Sequence, residues 1–259
     1  MSGQSASAAI ASCVGFIVTE LEKWNPLLGT PDWDQILRTA VQHANRHVRA
    51  HTAELGASTL SAVILPDLQP AFGIHVGDSK IYGLDRAFRC SQLSADQNVA
   101  AQLQALGVMN SPTSDTYSAL ERTLTQFVGA PGDLEPQVWR LEPGWEMLLL
   151  STDGAAAVMK NLNFTVVGEY LRQPAGASAF VCETLAKCNR LGGADNATLV
   201  VVSVTDTDPR AQTSDDFGTL LAVYGDLSVE FSCPTLSGHS AVRSYTSTQA
   251  NLAELKCFI

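Results

Sequence analysis

The sequence predicts an α+β domain built on antiparallel sheets. Two segments with helical periodicity open the chain, strand-like runs follow that are joined by short turns, and a later helix leads into a β-branched strand. This order differs from the regular strand–helix alternation of a parallel βαβ array. With 46% hydrophobic and 16% charged residues, the 259-residue chain has a globular composition and is long enough to bury a substantial core.

The N-terminal part predicts two amphipathic helices. The first covers residues 5–23 and ends before the breaker-rich segment 25–31. Asp32 is placed to cap the second helix, and Gly56 ends it. Apolar residues recur at helical spacing in both, at Ile10, Val14, Ile17, Val18 and Leu21 in the first and at Ile36, Ala40, Val41, Ala44 and Val48 in the second.

The next segment predicts three strands joined by tight turns. The runs at 58–65 and 71–77 are separated by the turn signal Pro66-Asp67. A third run at 79–84 follows directly, and the short connection Gly77-Asp78 predicts a hairpin between the second and third strands.

The following part mixes helices and strands. A short helix is predicted at 96–106 and a polar loop at 108–118. The runs EPQVWRLE and EMLLLSTDG flank Pro143-Gly144, which predicts a second hairpin. A helix is predicted at 177–190 and a strand at 197–204, with Phe180, Val181, Leu185 and Cys188 forming the apolar face of the helix.

The C-terminal part has a different composition. After Asp208-Pro209 the chain becomes rich in Thr, Ser and Asp, so we expect a main domain over 1–204 and a linker over 205–216. The remaining residues, 217–259, form a C-terminal extension in which TLLAVYGDLSVEF is a hairpin candidate.

Charge and cysteine usage exclude several classes of function. The net charge of −10 argues against nucleic acid as a partner, because phosphate backbones are bound by clusters of Lys and Arg. No run of eighteen uninterrupted apolar residues and no basic leader region is present, so we expect neither a membrane span nor a signal peptide. Six cysteines without CxxC or finger-like spacing predict free thiols in a reducing compartment, and therefore a cytoplasmic protein.

Two aspartates stand where carboxylates are suited to bind a cation. Asp153 follows the apolar run MLLLST and precedes Gly154, so its carboxylate is expected at a strand end where the backbone turns. Asp195 lies in the glycine-rich loop GGADN that leads into the strand ATLVVVSV. Oxygen ligands at such positions can converge on a hard cation without burying an unpaired charge, although Asp-Gly and Asp-Asn pairs also serve as simple turns and caps.

Several segments in order resemble one enzyme family. The segments HVGDSKIYGL, LSADQNVAAQLQALG, LLLSTDG and DNATLVVV resemble the type 2C protein phosphatases in sequence and in order. The resemblance runs from residue 1 to about residue 204. It implies a four-layer α-β-β-α sandwich with two Mg²⁺ or Mn²⁺ ions, and in some members a third, in a cleft at one edge of the sheets.

The resemblance also implies roles for particular residues. Asp153 and Asp195 match two metal-binding aspartates, and Asp96 in LSADQ matches an aspartate that helps to hold a third, weaker metal in bacterial members. Asp96 is equally suited to cap the helix predicted to begin after it. Asp78 in VGDS is expected to set a turn between two strands rather than to bind a metal.

The start of the chain departs from the family pattern. The family's Asp-Gly-x-x-Gly motif supplies a bridging carboxylate, and Met1-Ser2-Gly3 fits only its last three positions. We therefore expect an N-terminally truncated sandwich that lacks upstream strands and exposes sheet edges. The hairpin candidate at 218–231 could cover such an edge, but an independent appendage or a partner-binding tail is the preferred expectation.

Two functions follow from the resemblance. The first is hydrolysis of phosphoserine and phosphothreonine in proteins by a metal-activated water, with a phosphorylated protein as substrate and a cognate Ser/Thr kinase as a further partner. The second is a catalytically inactive, phosphatase-like module that binds and regulates a phosphoprotein or a kinase. The missing bridging Asp makes the activity of this chain doubtful.

One further constellation is assigned to the surface. His43, His47 and His51 repeat every four residues and share a face of the second helix. Histidines at this spacing can bind zinc or nickel, but three in a row rarely meet one ion without ligands from elsewhere. We expect a solvated helix face.

Overall fold

A computed structural model gives the three-dimensional structure. It describes residues 3–24, 30–52, 56–66, 70–108, 115–173, 176–191 and 197–204, and the strand segments 218–224, 227–233 and 255–258. Asp195 and the linker predicted at 205–216 lie outside the described residues.

Seven helices and ten strands make up the described part of the chain. The helices are α1 (Gly3–Lys23), α2 (Trp33–His51), α3 (Val99–Ala105), α4 (Asp115–Glu121), α5 (Asp153–Met159), α6 (Phe164–Leu171) and α7 (Gly176–Arg190). The strands are β1 (Leu60–Pro66), β2 (Phe72–Val76), β3 (Lys80–Asp85), β4 (Cys90–Gln92), β5 (Gln137–Arg140), β6 (Trp145–Ser151), β7 (Leu199–Ser203), β8 (Gly218–Tyr224), β9 (Leu227–Cys233) and β10 (Leu255–Phe258).

The strands form two four-stranded antiparallel sheets and a separate two-stranded one. The first sheet has the order β10-β1-β2-β5, the second has the order β4-β3-β6-β7, and β8 pairs with β9. In the second sheet Lys80 of β3 lies opposite Ser151 of β6, and Ser151 lies opposite Leu199 of β7.

Three hydrophobic clusters separate four layers. The first joins α1 and α2 to the first sheet, the second joins α5, α6 and α7 to the second sheet, and the third lies between the sheets. Alternation along a strand explains the division, because successive side chains point to opposite faces of a sheet. In β6, Met147 and Leu149 belong to the helix-facing cluster, whereas Leu148 and Leu150 belong to the cluster between the sheets. The predicted α+β class and the four-layer α-β-β-α sandwich are confirmed.

Several local predictions also agree with the structure. The Asp32 side chain accepts a hydrogen bond from the Gln35 backbone N–H at 3.1 Å, and so caps α2. The apolar face predicted for the helix at 177–190 is buried on α7. These features depend on short-range periodicity and capping, which the sequence states directly.

The two predicted hairpins at Gly77-Asp78 and Pro143-Gly144 are wrong, because both connections cross between the sheets. β2 already pairs with β1 and β5 on its two sides, and β3 pairs with β4 and β6, so the strands have no free edges to share. The same holds for β6, which lies between β3 and β7. Gly77 permits the first crossing with a φ of 112°, a conformation that residues with a Cβ rarely adopt.

The predicted helix at 96–106 is shorter in the structure, and the predicted loop after it is partly helical. α3 begins at Val99, and its cap is Asn98, whose Oδ1 accepts from the Ala101 N–H at 2.8 Å. Asp96 lies two residues before this cap and makes other contacts, so its predicted capping role is wrong. Residues 115–118, predicted as loop, belong to α4.

α1 has an apolar character that needs an explanation. Over Ser5–Lys23 it is long and apolar enough to span a membrane, by length and composition alone. One face of it, with Ala9, Cys13 and Ile17, is buried in the first hydrophobic cluster. Packing as the outer layer of the sandwich therefore accounts for this face of the helix.

The C-terminal extension contributes three strands. β8 and β9 pair in antiparallel register from Gly218↔Cys233 to Tyr224↔Leu227, and β8 lies beside β7 at the border of the second sheet. β10 pairs with β1 and becomes the outer strand of the first sheet.

One buried side chain ties α2 to the loop before β5. Asn45 is 1% exposed, and its Nδ2 donates to the carbonyls of Ala130 at 3.1 Å and Gly132 at 2.9 Å. Its Oδ1 accepts from the Gly129 N–H at 2.6 Å. All three polar groups of the amide are used to hold the loop.

Replacing Asn45 with Ala should lower the free energy of unfolding by about 2–4 kcal/mol, because three hydrogen bonds are lost and buried backbone groups are left unpaired. Urea unfolding measures the change. Arg46→Ala, at the adjacent exposed position of α2, is the matched control and should cost less than about 0.5 kcal/mol. Equal effects of the two substitutions would contradict this account of the loop.

Candidate metal-binding site

Strand register brings two aspartates to one edge of the sandwich. Lys80 at the start of β3 lies opposite Ser151 at the end of β6. Asp78 stands two residues before Lys80, and Asp153 stands two residues after Ser151. Because the strands are antiparallel, the chain enters β3 and leaves β6 at the same edge, so both carboxylates are carried there.

Asp153 lies where the sequence predicts it, at the turn after a buried strand. β6 ends at Ser151, Thr152 is extended, and Asp153 is the first residue of α5, with an exposed side chain. Its Oδ1 accepts from the Gly154 N–H at 2.9 Å.

Thr152 anchors this turn to the start of the last strand of the sheet. Its N–H donates to the Thr198 carbonyl at 3.1 Å, and its Oγ1 accepts from the Thr198 N–H at 2.9 Å. Thr198 comes three residues after Asp195, the second predicted ligand. Thr198 is therefore fixed beside the turn that carries Asp153, while Asp195 itself lies outside the described residues.

Asp78 belongs to this edge, although the sequence assigned it only to a turn. Burial, and then the negative charge of Asp153, raise the pKa of its carboxyl to about 6. Lys80 acts against this rise, and Asp96 adds a smaller contribution to it. The four groups therefore share one electrostatic environment. The signal that could have found Asp78 is the one that found Asp153: a carboxylate beside a glycine at the end of a buried strand.

Asp96 contacts Lys80 rather than the helix that follows it. The Lys80 ammonium forms an ion pair with Oδ2 of Asp96, and Gln92 Nε2 donates to Oδ1 at 3.0 Å. The Lys80 side chain is 9% exposed and that of Asp96 is 27% exposed, so the pair is largely shielded from water. Both carboxylate oxygens of Asp96 are engaged.

A buried histidine holds the crossing on which Asp78 stands. His75 is 0% exposed, and burial lowers the pKa of its imidazole to about 4, so the ring is neutral. Its Nε2 lies 2.9 Å from the Gly77 carbonyl and its Nδ1 lies 2.8 Å from Ser61 Oγ, which assigns the proton to Nε2. Gln97 adds a second clamp, because its side-chain Oε1 accepts from the Gly77 N–H at 2.8 Å.

The donor set suits a hard divalent cation in its chemistry, because carboxylate oxygens are the ligands such ions prefer. Ser151 Oγ, buried at the end of β6, is a further oxygen and has no hydrogen-bond partner in the described part of the chain. Across the described residues, however, no three acidic, His or Cys side chains converge closely enough to hold a metal ion. The described residues alone therefore form no complete ligand shell.

The three histidines of α2 lie away from these acids. His43 is exposed and hydrogen-bonds with Ser12 Oγ at 2.9 Å. The rings of His47 and His51 stack with centroids 3.9 Å apart. His51 is exposed as well, as the prediction of a solvated face requires.

Several known proteins that are similar to this chain are phosphatases. No protein-family model matches the chain. The protein phosphatase PhpP of Streptococcus pneumoniae is 29% identical over 157 residues, which cover 58% of this chain and 59% of that protein. The crystal structure of the PPM Ser-Thr phosphatase MsPP from Mycobacterium smegmatis superposes with a TM-score of 0.55 at 25% identity, covering 75% of this chain and 81% of that one. The chain is thus similar to type 2C (PPM) phosphatases in both sequence and fold.

A second PPM structure extends the comparison. The catalytic domain of the phosphatase PstP, solved with two manganese ions, matches with a TM-score of 0.56 at 22% identity over 80% of this chain and 85% of that one. The fold predicted from the sequence motifs is confirmed, and these similarities support the predicted resemblance to the PPM phosphatases. The chain spans about three-fifths of the length of the curated relatives it matches.

The buried His75 predicts a pH dependence of stability. The pKa of its imidazole is about 4 in the folded protein and about 6.5 when unfolded, so the unfolded chain binds a proton that the folded chain excludes. Stability contributed by the neutral ring is present above pH 6.5 and is lost as the pH falls towards 4. Between pH 7 and pH 5 this loss should amount to about 2 kcal/mol.

Urea unfolding of the wild type and of His75→Gln at both pH values isolates this contribution, because other titrating groups are common to the two proteins. The variant should lose about 2 kcal/mol less than the wild type between pH 7 and pH 5. His51→Gln, at an exposed position of α2, should behave as the wild type. An unchanged pH dependence in His75→Gln would show that the ring is not held neutral.

Proposed function

We propose that the protein is a Mg²⁺- or Mn²⁺-dependent phosphatase that hydrolyses phosphoserine and phosphothreonine in proteins. The observation that carries the proposal is the juxtaposition of Asp78 and Asp153 at one edge of a PPM sandwich. The names of its relatives support the reaction class, and the manganese ions bound by PstP support the choice of metal.

The residues that would hold the metal ions are the acids of this edge. Asp153 is the leading candidate because it is exposed at the first turn of α5, and Asp78 faces the same environment. Asp195 is proposed as a further ligand from its sequence motif, and Asp96 as the residue beside a third, weaker position. When bound, two such ions would lower the pKa of a shared water and neutralise charge on the phosphoryl oxygens.

The charge balance of the described groups favours a cation. Asp78, Asp96 and Asp153 are three carboxylates, and Lys80 is the one ammonium that acts on Asp78 together with them. Three negative charges and one positive charge leave an excess of two negative charges when all are ionised. Hydrogen bonds with the His75 ring and the Gln97 amide fix the backbone of Gly77, and they thereby help to hold the next residue, Asp78, in place.

We further propose a phosphorylated protein as substrate, with a Ser/Thr kinase as the enzyme that supplies it, and a cytoplasmic location. A protein phosphatase consumes the product of such a kinase, so the two would act on one target. Cys13, Cys90, Cys182 and Cys188 are free thiols, which supports a reducing compartment.

A second function is favoured by the engagement of Asp96. Its two carboxylate oxygens are taken up by Lys80 and Gln92, and the described acids do not converge into a complete ligand set. A chain that binds a phosphoprotein or a kinase without hydrolysing the phosphate would have this arrangement. Measured hydrolysis decides between the two functions.

Replacing Asp153 with Asn should reduce Mn²⁺-dependent hydrolysis of a phosphothreonine peptide by roughly 100-fold or more, because the substitution removes a charged ligand and with it about 3 kcal/mol of transition-state stabilisation. Phosphate release is measured with and without Mn²⁺.

Glu169→Gln, an exposed position on α6, removes the same charge elsewhere and should leave the rate unchanged. If the wild type releases no phosphate, or if Asp153→Asn is as active as the wild type, metal-assisted hydrolysis by this chain is ruled out. Retained binding of a phosphoprotein in that case would support the second function.

A further inference from the structure

A cation is already present among the acids of the candidate site. Lys80 is 7% exposed, and its ammonium reaches Oδ2 of Asp96 across the gap between β3 and the loop after β4. Lysine is rarely buried to this extent unless it is paired, because removing the ammonium from water costs several kcal/mol. The pair with Asp96 offsets this cost.

The position of Lys80 is set by the sheet and not by its own flexibility. Lys80 is the first residue of β3 and lies directly opposite Ser151, so its backbone is fixed by the ladder between β3 and β6. The side chain also acts on Asp78, whose carboxyl it helps to keep ionised. The Lys80 ammonium thus contacts Asp96 directly and acts on Asp78 through its charge.

A divalent cation on Asp96 would compete with this ammonium. Oδ2 of Asp96 contacts Lys80 and Oδ1 accepts from Gln92 Nε2, so a metal ion must displace at least one of them. Two cations a few ångströms apart in a partly shielded site repel each other strongly. Occupation by Lys80 and occupation by a divalent ion therefore exclude each other.

We propose that the Lys80 ammonium takes the place of a divalent cation at Asp96, so that this protein binds one cation fewer than its acids would otherwise allow. The inference rests on the proposed function, since it concerns the metal content of the same site. It assigns Lys80 as an internal counter-ion that limits the site, and Asp96 as its partner rather than as a resident ligand. Ser151, on the strand position opposite Lys80, adds a buried hydroxyl oxygen that has no hydrogen-bond partner among the described residues.

The experiment counts bound Mn²⁺ per chain by equilibrium dialysis, with the electron paramagnetic resonance signal of free Mn²⁺ as a second measure. Lys80→Gln should bind one Mn²⁺ more than the wild type. The double variant Lys80→Gln/Asp96→Asn should lose this additional ion, because the gain requires the Asp96 carboxylate. Thermal unfolding of each variant without metal establishes that it is folded.

A second variant tests the inference without changing Lys80. If Lys80 fills the position, Asp96→Asn alone should bind as many Mn²⁺ ions as the wild type, whereas a resident ligand would cost one ion. Lys80→Met replaces Lys80→Gln if the latter does not fold. An unchanged count in the folded Lys80 variant, or the loss of an ion in Asp96→Asn, would overturn the inference.

The outcome is separable from that of the proposed function. A wild type that binds no Mn²⁺ and releases no phosphate, together with a Lys80→Gln variant that gains an ion, would refute the proposed function and support the role of Lys80. A wild type that hydrolyses the peptide with Mn²⁺ while the Lys80 variant gains no ion would support the proposed function and refute the role of Lys80.

Discussion

The crossing of the chain from one sheet to the other at Gly77-Asp78 is the constraint on which the rest depends. β2 and β3 each have neighbours on both sides, so the three residues between them must bridge the layers of the sandwich. Gly77 meets the geometric demand, and His75 and Gln97 meet the hydrogen-bonding demand of its backbone. The carboxylate of Asp78 is thereby carried to the edge where β6 ends. The crossing between the sheets thus places Asp78 in the candidate metal-binding site.

In the candidate site, the energetic cost of burying carboxylates and the cost of burying an ammonium group offset each other. Asp78 is half-buried beside other carboxylates, which raises the pKa of its carboxyl, and Lys80 is buried beside them, which would be costly in their absence. The same ammonium that stabilises the acids also engages Asp96 directly. Stability of the folded chain and its capacity for metal ions are therefore opposed at this edge. A metal ion that displaces Lys80 from Asp96 also takes away the carboxylate that offsets the cost of burying the lysine.

Local features of the fold were predictable from the sequence, whereas pairing was not. The helical periodicity of α1, α2 and α7 depends on residues that are close together in the sequence, and so does the cap at Asp32. The strand that ends before Asp153 is recognisable as an uninterrupted apolar run. A glycine-acid or proline-glycine step gives the same local signal in a hairpin and in a crossing between sheets, so Gly77-Asp78 and Pro143-Gly144 were assigned wrongly. Asp96 and Asn98 are both good capping residues, and only the ion pair with Lys80, sixteen positions earlier in the chain, decides between them.

The register between β3 and β6 has a consequence for how such a chain can diverge. A strand advances about 3.3 Å per residue and alternates its faces, so one inserted residue in β6 would move Asp153 away from Asp78 and exchange the two neighbouring cores. Exchanges between apolar residues of similar volume in these buried strands leave the register unchanged. Insertions and deletions would change it. The spacing from Asp78 to Lys80 and from Ser151 to Asp153 therefore fixes the position of the two carboxylates relative to each other. Homologues should therefore exchange one apolar residue for another here while keeping their strand lengths fixed.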